Sequence, residues 1–274
     1  RFQYFSGDAQ LNFDLGFKEE VNIKNTVAKV KDADIVIFAG GISPSLEGEE
    51  MGVNLPGFRK GDRTDIELPA VQLELIKALC DAGKKVIFVN FSGSPIAMEP
   101  ETKYCQAILQ AWYPGQSGGK AAAEVLFGDY NPAGRLPVTF YRNITQLPDF
   151  EDYNMTGRTY RYFKGDPLFP FGYGLSYTTF NYGNIKLEQT IKVGETAKII
   201  VPVTNTGNRD GEEVVQVYLK KQEDAEGPVK TLRAFKRVQI PAGKTVNVEL
   251  ELTPKQLEWW DAQTNTMRTI AGTV

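Results

Sequence analysis

Histidine is absent from this 274-residue chain, and cysteine occurs only twice. The lack of histidine excludes from this chain Ser-His and Cys-His nucleophiles, imidazole metal sites and the commonest general base. Acid-base chemistry must therefore come from carboxylates, Lys or Tyr. Neither Cys80 nor Cys105 lies in a CxxC or other metal-ligand spacing. We predict that both are small buried apolar residues rather than a disulfide or a reactive thiol, and we expect no metal and no cofactor.

Neither sign of charge is in large excess, and long apolar runs are also scarce. A formal net charge of −3 gives no basic surface for nucleic acid, and no apolar run approaches the length that spans a bilayer. The glycine-rich segments have neither the Lys-Ser/Thr ending of a P-loop nor the spacing of a dinucleotide fingerprint. We therefore expect no nucleic-acid partner and no membrane insertion, and nucleotide binding has little support.

Residues 19–141 alternate helical patterns with apolar runs. The runs at 33–39, 85–91 and 107–112 are typical of strands that a parallel sheet buries on both faces. Helical spacing predicts a helix within 21–31 and another that opens at Pro69 and closes at Gly83. This alternation predicts an α/β domain with a doubly wound, mostly parallel sheet.

The remaining segments have different compositions. Residues 1–18 carry an alternating pattern that predicts the closing strands of a preceding or inserted β domain. Residues 142–180 are rich in Pro, Gly and aromatics, which predicts a linker that covers a domain, with a sugar-stacking wall as the alternative. Residues 181–274 show period-2 strands and glycine turns, which predict an all-β immunoglobulin-like or fibronectin type III-like sandwich, truncated at its C-terminus.

The run Ser45-Leu46-Glu47-Gly48-Glu49-Glu50 follows the first predicted strand. Ligands of open α/β sheets bind at the carboxyl ends of strands. Neighbouring carboxylates repel one another, so that one of the three can stay protonated near neutral pH, as a general acid requires. Arg63 is a cation that could pair with a carboxylate, either that of the neighbouring Asp62 or one of these three. The alternative interpretation of the run is a solvated acidic loop.

The pair Trp259-Trp260 near the C-terminus has two interpretations. Adjacent tryptophans could form a platform on which a sugar ring stacks. We predict instead one buried and one partly buried core residue, because a β-sandwich needs large apolar side chains between its sheets.

Several ordered segments carry a family resemblance: DADIVIFAGG, SLEGEE followed by GDR and ELP, KKVIFVNFSGSP, AWYPGQSGG, LFGDYNPAGRLPVTF, YRYF, and FPFGYGLSYTTF. From about residue 21 to the end, the chain resembles the C-terminal half of glycoside hydrolase family 3 enzymes. Residues 2–17 resemble the last strands of the protective-antigen-type carbohydrate-binding domain that some members insert. The resemblance implies that this chain is a fragment or a processed product of a longer polypeptide.

The resemblance also implies a function, which is that of a retaining, exo-acting β-glycosidase that releases terminal sugars from β-linked oligosaccharides. In that family a TIM barrel carries an Asp nucleophile and the α/β sandwich carries a Glu acid/base. Glu47 matches the acid/base best and Glu49 is second, because related loops space two acids one residue apart. These 274 residues contain no position for the nucleophile, so we expect a TIM-barrel partner domain in the parent polypeptide and no activity from this chain alone.

The finer assignments are expectations of the same kind. The residues of these motifs, taken together, resemble those of β-xylosidases most, with a β-glucosidase as the alternative. The family resemblance also implies a periplasmic or secreted location. Substrate-binding residues are not identifiable from this sequence. A different class also stays open, in which the chain is a non-catalytic carbohydrate-binding or scaffolding module and the acidic loop has no catalytic role.

Overall fold

The structure is a computed structural model that describes residues 23–187 and 190–274. The strands predicted within residues 1–18 lie outside the described residues. The chain divides into two compact units. Among the described residues, one unit comprises those up to Glu124 together with Phe140–Leu147, and the other comprises Val125–Thr139 and those from Pro148 to Val274.

The first unit contains a three-stranded parallel sheet with helices, as predicted. The strand order is β1 (Ile35–Gly41), β5 (Lys85–Phe91), β6 (Ala107–Gln110), and Ile35 lies opposite Lys85. Helices precede and connect the strands. In chain order the elements are α1 (Ile23–Lys29), β1 (Ile35–Gly41), β2 (Asn54–Leu55), β3 (Phe58–Arg59), β4 (Asp62–Arg63), α2 (Ala70–Asp81), β5 (Lys85–Phe91), α3 (Glu99–Tyr104), β6 (Ala107–Gln110) and α4 (Gly118–Phe127).

Helix α2 packs against the sheet through one apolar face. Leu75 and Leu79 of the helix are buried against Val86 of β5. The helix ends where Gly83 adopts a φ of +78°, and the amide of Lys84 then donates to the carbonyl of Leu79 over 3.0 Å. A glycine in this left-handed conformation satisfies the last carbonyls of a helix, so that the chain turns directly into β5.

Both cysteines pack beside this core as free thiols. Cys80 and Cys105 contact the cluster around Leu79. Burial raises the pKa of the Cys105 thiol to about 12, with smaller contributions from Cys80 and Glu101. Both cysteines are free, but each is only partly buried, so the prediction that they are buried holds only in part.

The second unit contains an antiparallel β-sandwich. The strands of this unit are β7 (Phe180–Tyr182), β8 (Lys186–Leu187), β9 (Ala197–Asn205), β10 (Gly211–Leu219), β11 (Thr231–Ile240), β12 (Thr245–Leu252), β13 (Trp259–Asp261) and β14 (Thr266–Arg268). One sheet of the sandwich has the order β12, β9, β7, with β8 also paired to β9, and the other consists of β10 and β11. Alternate side chains of β9 are buried, and the core includes Val203, Val215 and Ile240. A parallel α/β domain followed by a β-sandwich is the predicted fold class.

The segment before the sandwich is bound to it by a buried ion pair. Arg135 Nη2 lies 2.7 Å from Glu213 Oε2, and their side chains are only 12% and 8% exposed. Tyr182 donates to the other oxygen of Glu213 over 3.0 Å. Both oxygens of this buried carboxylate are therefore satisfied, which is the condition under which a buried charge is tolerated.

The two tryptophans of β13 have opposite environments. Trp259 is 7% exposed, and the Arg233 guanidinium lies 4.5 Å from its ring centroid. Trp260 is 58% exposed, because successive side chains of a strand point to opposite faces. The prediction of a buried residue holds for Trp259, whereas the prediction that Trp260 is partly buried in the core was wrong.

Candidate active site

The acidic loop, residues 45–50, begins at the carboxyl end of β1 as the sequence predicted. Gly41 closes the strand with a φ of +128°. A Cβ at this position would lie 1.9 Å from the carbonyl oxygen of Phe91, so only glycine fits. The Gln72 side chain accepts from the Gly41 amide over 2.9 Å and donates to its carbonyl over 2.7 Å. The amide and the carbonyl of Gly41, where the chain leaves the sheet, are therefore both held by the Gln72 side chain.

The acidic loop is also fixed at its far end. Leu46 is buried with 3% exposure, the Gly48 amide donates to Gly61 O over 3.2 Å, and the Met51 amide donates to Lys60 O over 2.9 Å. Gly61 has a φ of +87°, and a Cβ there would lie 1.9 Å from Gly48 O. These contacts attach the acidic loop to the turn between β3 and β4.

The three glutamates of the acidic loop differ in environment. Glu47 is partly buried, whereas Glu49 and Glu50 are exposed. Glu47 Oε1 accepts a hydrogen bond from Ser94 Oγ over 2.6 Å. Its Oε2 is buried and has no hydrogen-bond partner among the described residues. An unpaired buried polar atom lowers the stability of the fold, so stability does not explain why a carboxyl group occupies this position.

Arg63 completes the surroundings of Glu47. Its Nη1 donates to Ser94 Oγ and to Pro95 O, both over 3.1 Å, and its Nη2 donates to Glu67 O over 3.2 Å. Burial lowers the pKa of the Arg63 guanidinium, and the charge of Glu47 acts in the opposite direction. The sequence predicted a pairing of Arg63 with a carboxylate. The structure brings the two groups together through the Ser94 hydroxyl.

Tyr113 packs on the turn that carries Ser94. Trp112 has a φ of +56°, which turns the chain after β6. A Cβ at Gly93 would lie 2.5 Å from the Tyr113 ring, so the ring packs directly on the glycine beside Ser94. Burial raises the pKa of the Tyr113 phenol, and the nearby charge of Glu47 raises it further. The phenol is therefore a neutral hydroxyl on a partly exposed ring next to the carboxyl.

Buried amides support the turn that carries Ser94. Asn90 Nδ2 donates to Gln110 Oε1 over 2.6 Å, and Gln110 Nε2 donates to Ser92 Oγ over 3.1 Å. Asn90 and Ser92 are both 0% exposed. A connected network in a low-dielectric interior holds its members rigidly, so the positions of Ser92 to Ser94 are fixed by the ends of β5 and β6.

Sequence reasoning found Glu47 and Arg63 but did not select Ser94 or Tyr113. A signal for both was present, because each lies just after an apolar run, in FSGSP and in AWYPG. The carboxyl ends of parallel strands meet at one edge of a sheet. Residues that follow different strands are therefore brought together there.

The arrangement suits proton transfer by a carboxyl group. Glu47 accepts a hydrogen bond from the Ser94 hydroxyl, which in turn accepts one from the Arg63 guanidinium, and these contacts orient the carboxyl group. In residues 23–187 and 190–274, no group of three or more His, Cys, Asp or Glu residues is placed to hold a metal ion. The same residues include no helix with the length and hydropathy needed to cross a membrane.

Two parts of the chain match known protein families. Residues 6–177 match the glycosyl hydrolase family 3 C-terminal domain, and residues 213–274 match a fibronectin type III-like domain. The fold and the matches define the C-terminal part of a glycoside hydrolase. The chain belongs to glycoside hydrolase family 3.

Three relatives illustrate the similarity. The chain is 58% identical over 264 residues to a xylan 1,4-β-xylosidase of Xylanibacter ruminicola, covering 96% of this chain and 30% of that protein. It is 36% identical over 255 residues to a periplasmic β-glucosidase of Salmonella typhimurium, covering 88% and 32%. The solved structure of a β-glucosidase from Erythrobacter marinus matches with a TM-score of 0.77 and 38% identity, covering 90% of this chain and 33% of that one. The chain thus spans about a third of the length of these relatives.

Proposed function

We propose that this chain supplies the acid/base carboxyl of a retaining, exo-acting β-glycosidase, and that Glu47 is that carboxyl. The observation that carries the proposal is the contrast within the acidic loop. Glu47 is partly buried and bonded to Ser94, while Glu49 and Glu50 are exposed. A general acid must be held in one orientation towards the bond that it protonates, and only Glu47 is held.

The mechanism divides the work between two carboxyl groups about 5 to 5.5 Å apart. As a nucleophilic carboxylate attacks the anomeric carbon, Glu47 protonates the departing glycosidic oxygen. The sugar is then bound to the nucleophile, and Glu47 is ionised. In the second step Glu47 removes a proton from water, which attacks the anomeric carbon and releases the sugar with retained configuration.

The nucleophile belongs to a part of the parent polypeptide that these 274 residues do not include. We assign it to an Asp on a TIM-barrel domain, which is the partner of this chain. The match of the chain to about 30% of the length of its relatives supports this division. The chain alone is then inactive on β-glycosides.

The substrate is a β-linked oligosaccharide with a terminal xylose. The 58% identity to a protein named xylan 1,4-β-xylosidase supports this choice over the 36% identity to one named β-glucosidase. Release of nitrophenol from nitrophenyl β-xyloside and β-glucoside by the parent polypeptide separates the two. A higher kcat/KM on the glucoside would make it a β-glucosidase. The name of the second relative supports a periplasmic or secreted location.

The test of the acid/base compares Glu47→Ala with Glu49→Ala in the parent polypeptide. Glu47→Ala is expected to lower kcat/KM by about 10²- to 10⁴-fold for alkyl β-glycosides, which need protonation of the leaving group. For dinitrophenyl β-glycosides the loss in kcat/KM should be small, because that leaving group departs unprotonated. Glu49→Ala is the matched control and should change neither. The reverse result would assign the role to Glu49, and an inactive parent polypeptide would favour the non-catalytic module.

A further inference from the structure

Glu47 is one member of a three-residue chain of side chains. Arg63 Nη1 donates to Ser94 Oγ over 3.1 Å, and Ser94 Oγ lies 2.6 Å from Glu47 Oε1. We propose that Ser94, oriented by Arg63, is a positioning residue for the acid/base, and that it stabilises the charge that Glu47 acquires when it gives up its proton. The inference rests on the function proposed for Glu47.

The direction of each hydrogen bond follows from the chemistry of the three groups. A guanidinium has donors and no acceptor, so Ser94 Oγ must accept from Arg63. An ionised carboxylate has acceptors and no donor. Once Glu47 is ionised, the single hydroxyl hydrogen of Ser94 therefore points at Glu47 Oε1. The guanidinium polarises that hydroxyl and strengthens its hydrogen bond to the carboxylate.

The timing of this interaction makes it relevant to rate. Before proton transfer Glu47 is a neutral acid, and after transfer it is a carboxylate. An interaction that is stronger with the carboxylate stabilises the transition state, in which negative charge develops, more than the ground state. The Ser94 hydroxyl is held between Arg63 and Glu47 by its hydrogen bonds, so that it need not be reoriented during the reaction.

The surroundings of Ser94 and Arg63 keep this geometry fixed. Arg63 is bound to two backbone carbonyls, those of Pro95 and Glu67. The turn before Ser94 is supported by Ser92 and Asn90, which are buried. These contacts hold Ser94 and Arg63 in place. Rotation of the Glu47 side chain would break its hydrogen bond with Ser94, so this bond favours one position of the carboxyl group.

The experiment uses Ser94→Ala and Ser94→Thr in the parent polypeptide, with Glu47→Ala measured beside them. Ser94→Ala should lower kcat/KM for alkyl β-glycosides on the order of 10-fold to 100-fold, which is the size expected for one hydrogen bond to a charged group. The loss should lie in kcat more than in KM. For dinitrophenyl β-glycosides kcat/KM should change by less than about 3-fold, since their departure needs no proton. Ser94→Thr keeps the hydroxyl and should recover most of the lost activity.

Several results would overturn the assignment. A merely structural role for Ser94 would lower kcat/KM equally for both substrates, and an unchanged kcat/KM on alkyl glycosides would leave Ser94 no role. If Ser94→Ala melts at a much lower temperature, Ser94→Thr decides: a folded Thr variant without recovery contradicts the role of the hydroxyl. If Glu47→Ala itself lacks the dependence on leaving group, the proposed function fails. If Glu47→Ala shows the dependence on leaving group and Ser94→Ala does not, the role of Ser94 is refuted and the proposed function stands.

Discussion

Replacement of Trp259 by alanine tests whether the β-sandwich uses its tryptophan pair for stability or for sugar binding. Trp259 is 7% exposed, and its neighbour Trp260 is 58% exposed. The two residues share a strand and a side-chain type. They therefore form a matched pair in which burial is the main difference.

The magnitude follows from the buried area. A tryptophan side chain buries about 150 to 250 Å², and at about 25 cal/mol per Å² this gives an upper limit of about 4 to 6 kcal/mol. Truncations of this kind cost about 3 to 5 kcal/mol. The Arg233 guanidinium, 4.5 Å from the Trp259 ring, adds about 0.5 to 1 kcal/mol of cation-π attraction. We therefore expect Trp259→Ala to lower the free energy of unfolding by about 3 to 5 kcal/mol.

Calorimetry and oligosaccharide binding together decide the question. For a unit of about 140 residues, 1 kcal/mol shifts Tm by about 3 to 4 °C, so the transition of the unit that contains the sandwich should fall by about 10 to 20 °C in Trp259→Ala. Trp260→Ala should change the free energy of unfolding by less than about 0.5 kcal/mol. Neither variant should weaken binding of xylo-oligosaccharides at temperatures where it is folded. Unchanged melting with lost affinity in either variant would refute the reasoning and make the pair a binding platform.

Three further predictions address the ion pair, a glycine and a thiol. Arg135→Ala leaves a buried carboxylate unpaired and should cost about 3 to 5 kcal/mol in chemical denaturation, whereas Arg237→Ala removes an exposed pair and should cost less than about 1 kcal/mol. Gly61→Ala places a Cβ 1.9 Å from a carbonyl oxygen at positive φ and should lower Tm, whereas Gly52→Ala meets nothing within 4 Å and serves as the control. Cys105, whose pKa is raised to about 12 by burial, should stay protonated at neutral pH and react with thiol reagents only after unfolding. Equal effects within either pair, or rapid labelling of folded Cys105, would contradict these assignments.

The sequence predicted the elements that have enough residues to show a period. The strand at Lys85–Phe91 was predicted at its observed bounds, because a seven-residue run in which most side chains are β-branched or aromatic leaves little choice of structure. The strands of the hairpin Asn54–Arg63 have two residues each, too few for a period-2 pattern. Helix α3 has six residues, and its Glu101 is buried with 1% exposure, opposite to what helical amphipathicity predicts for a carboxylate.

The candidate site was predicted only in part for a related reason. Glu47 stands out in a sequence because three acids follow an apolar run, and Glu49 stands out equally. What separates them is burial and the hydrogen bond from Ser94, which lies 47 residues further along the chain. Such a contact depends on which strands are neighbours in the sheet. The position of Ser94 just after a predicted strand indicates the sheet edge at which it lies, but not its contact with Glu47.

Chemical rescue of Glu47→Ala in the parent polypeptide measures directly whether Glu47 is the acid/base. With the acid/base removed, a dinitrophenyl β-glycoside should still form the glycosyl-enzyme but release it slowly, because no base activates water. Azide needs no base and should restore turnover, and NMR should identify the product as the β-glycosyl azide with retained configuration. Glu49→Ala should hydrolyse the same substrate normally and give no azide product. Rescue of Glu49→Ala, with Glu47→Ala unaffected by azide, would contradict the assignment of Glu47.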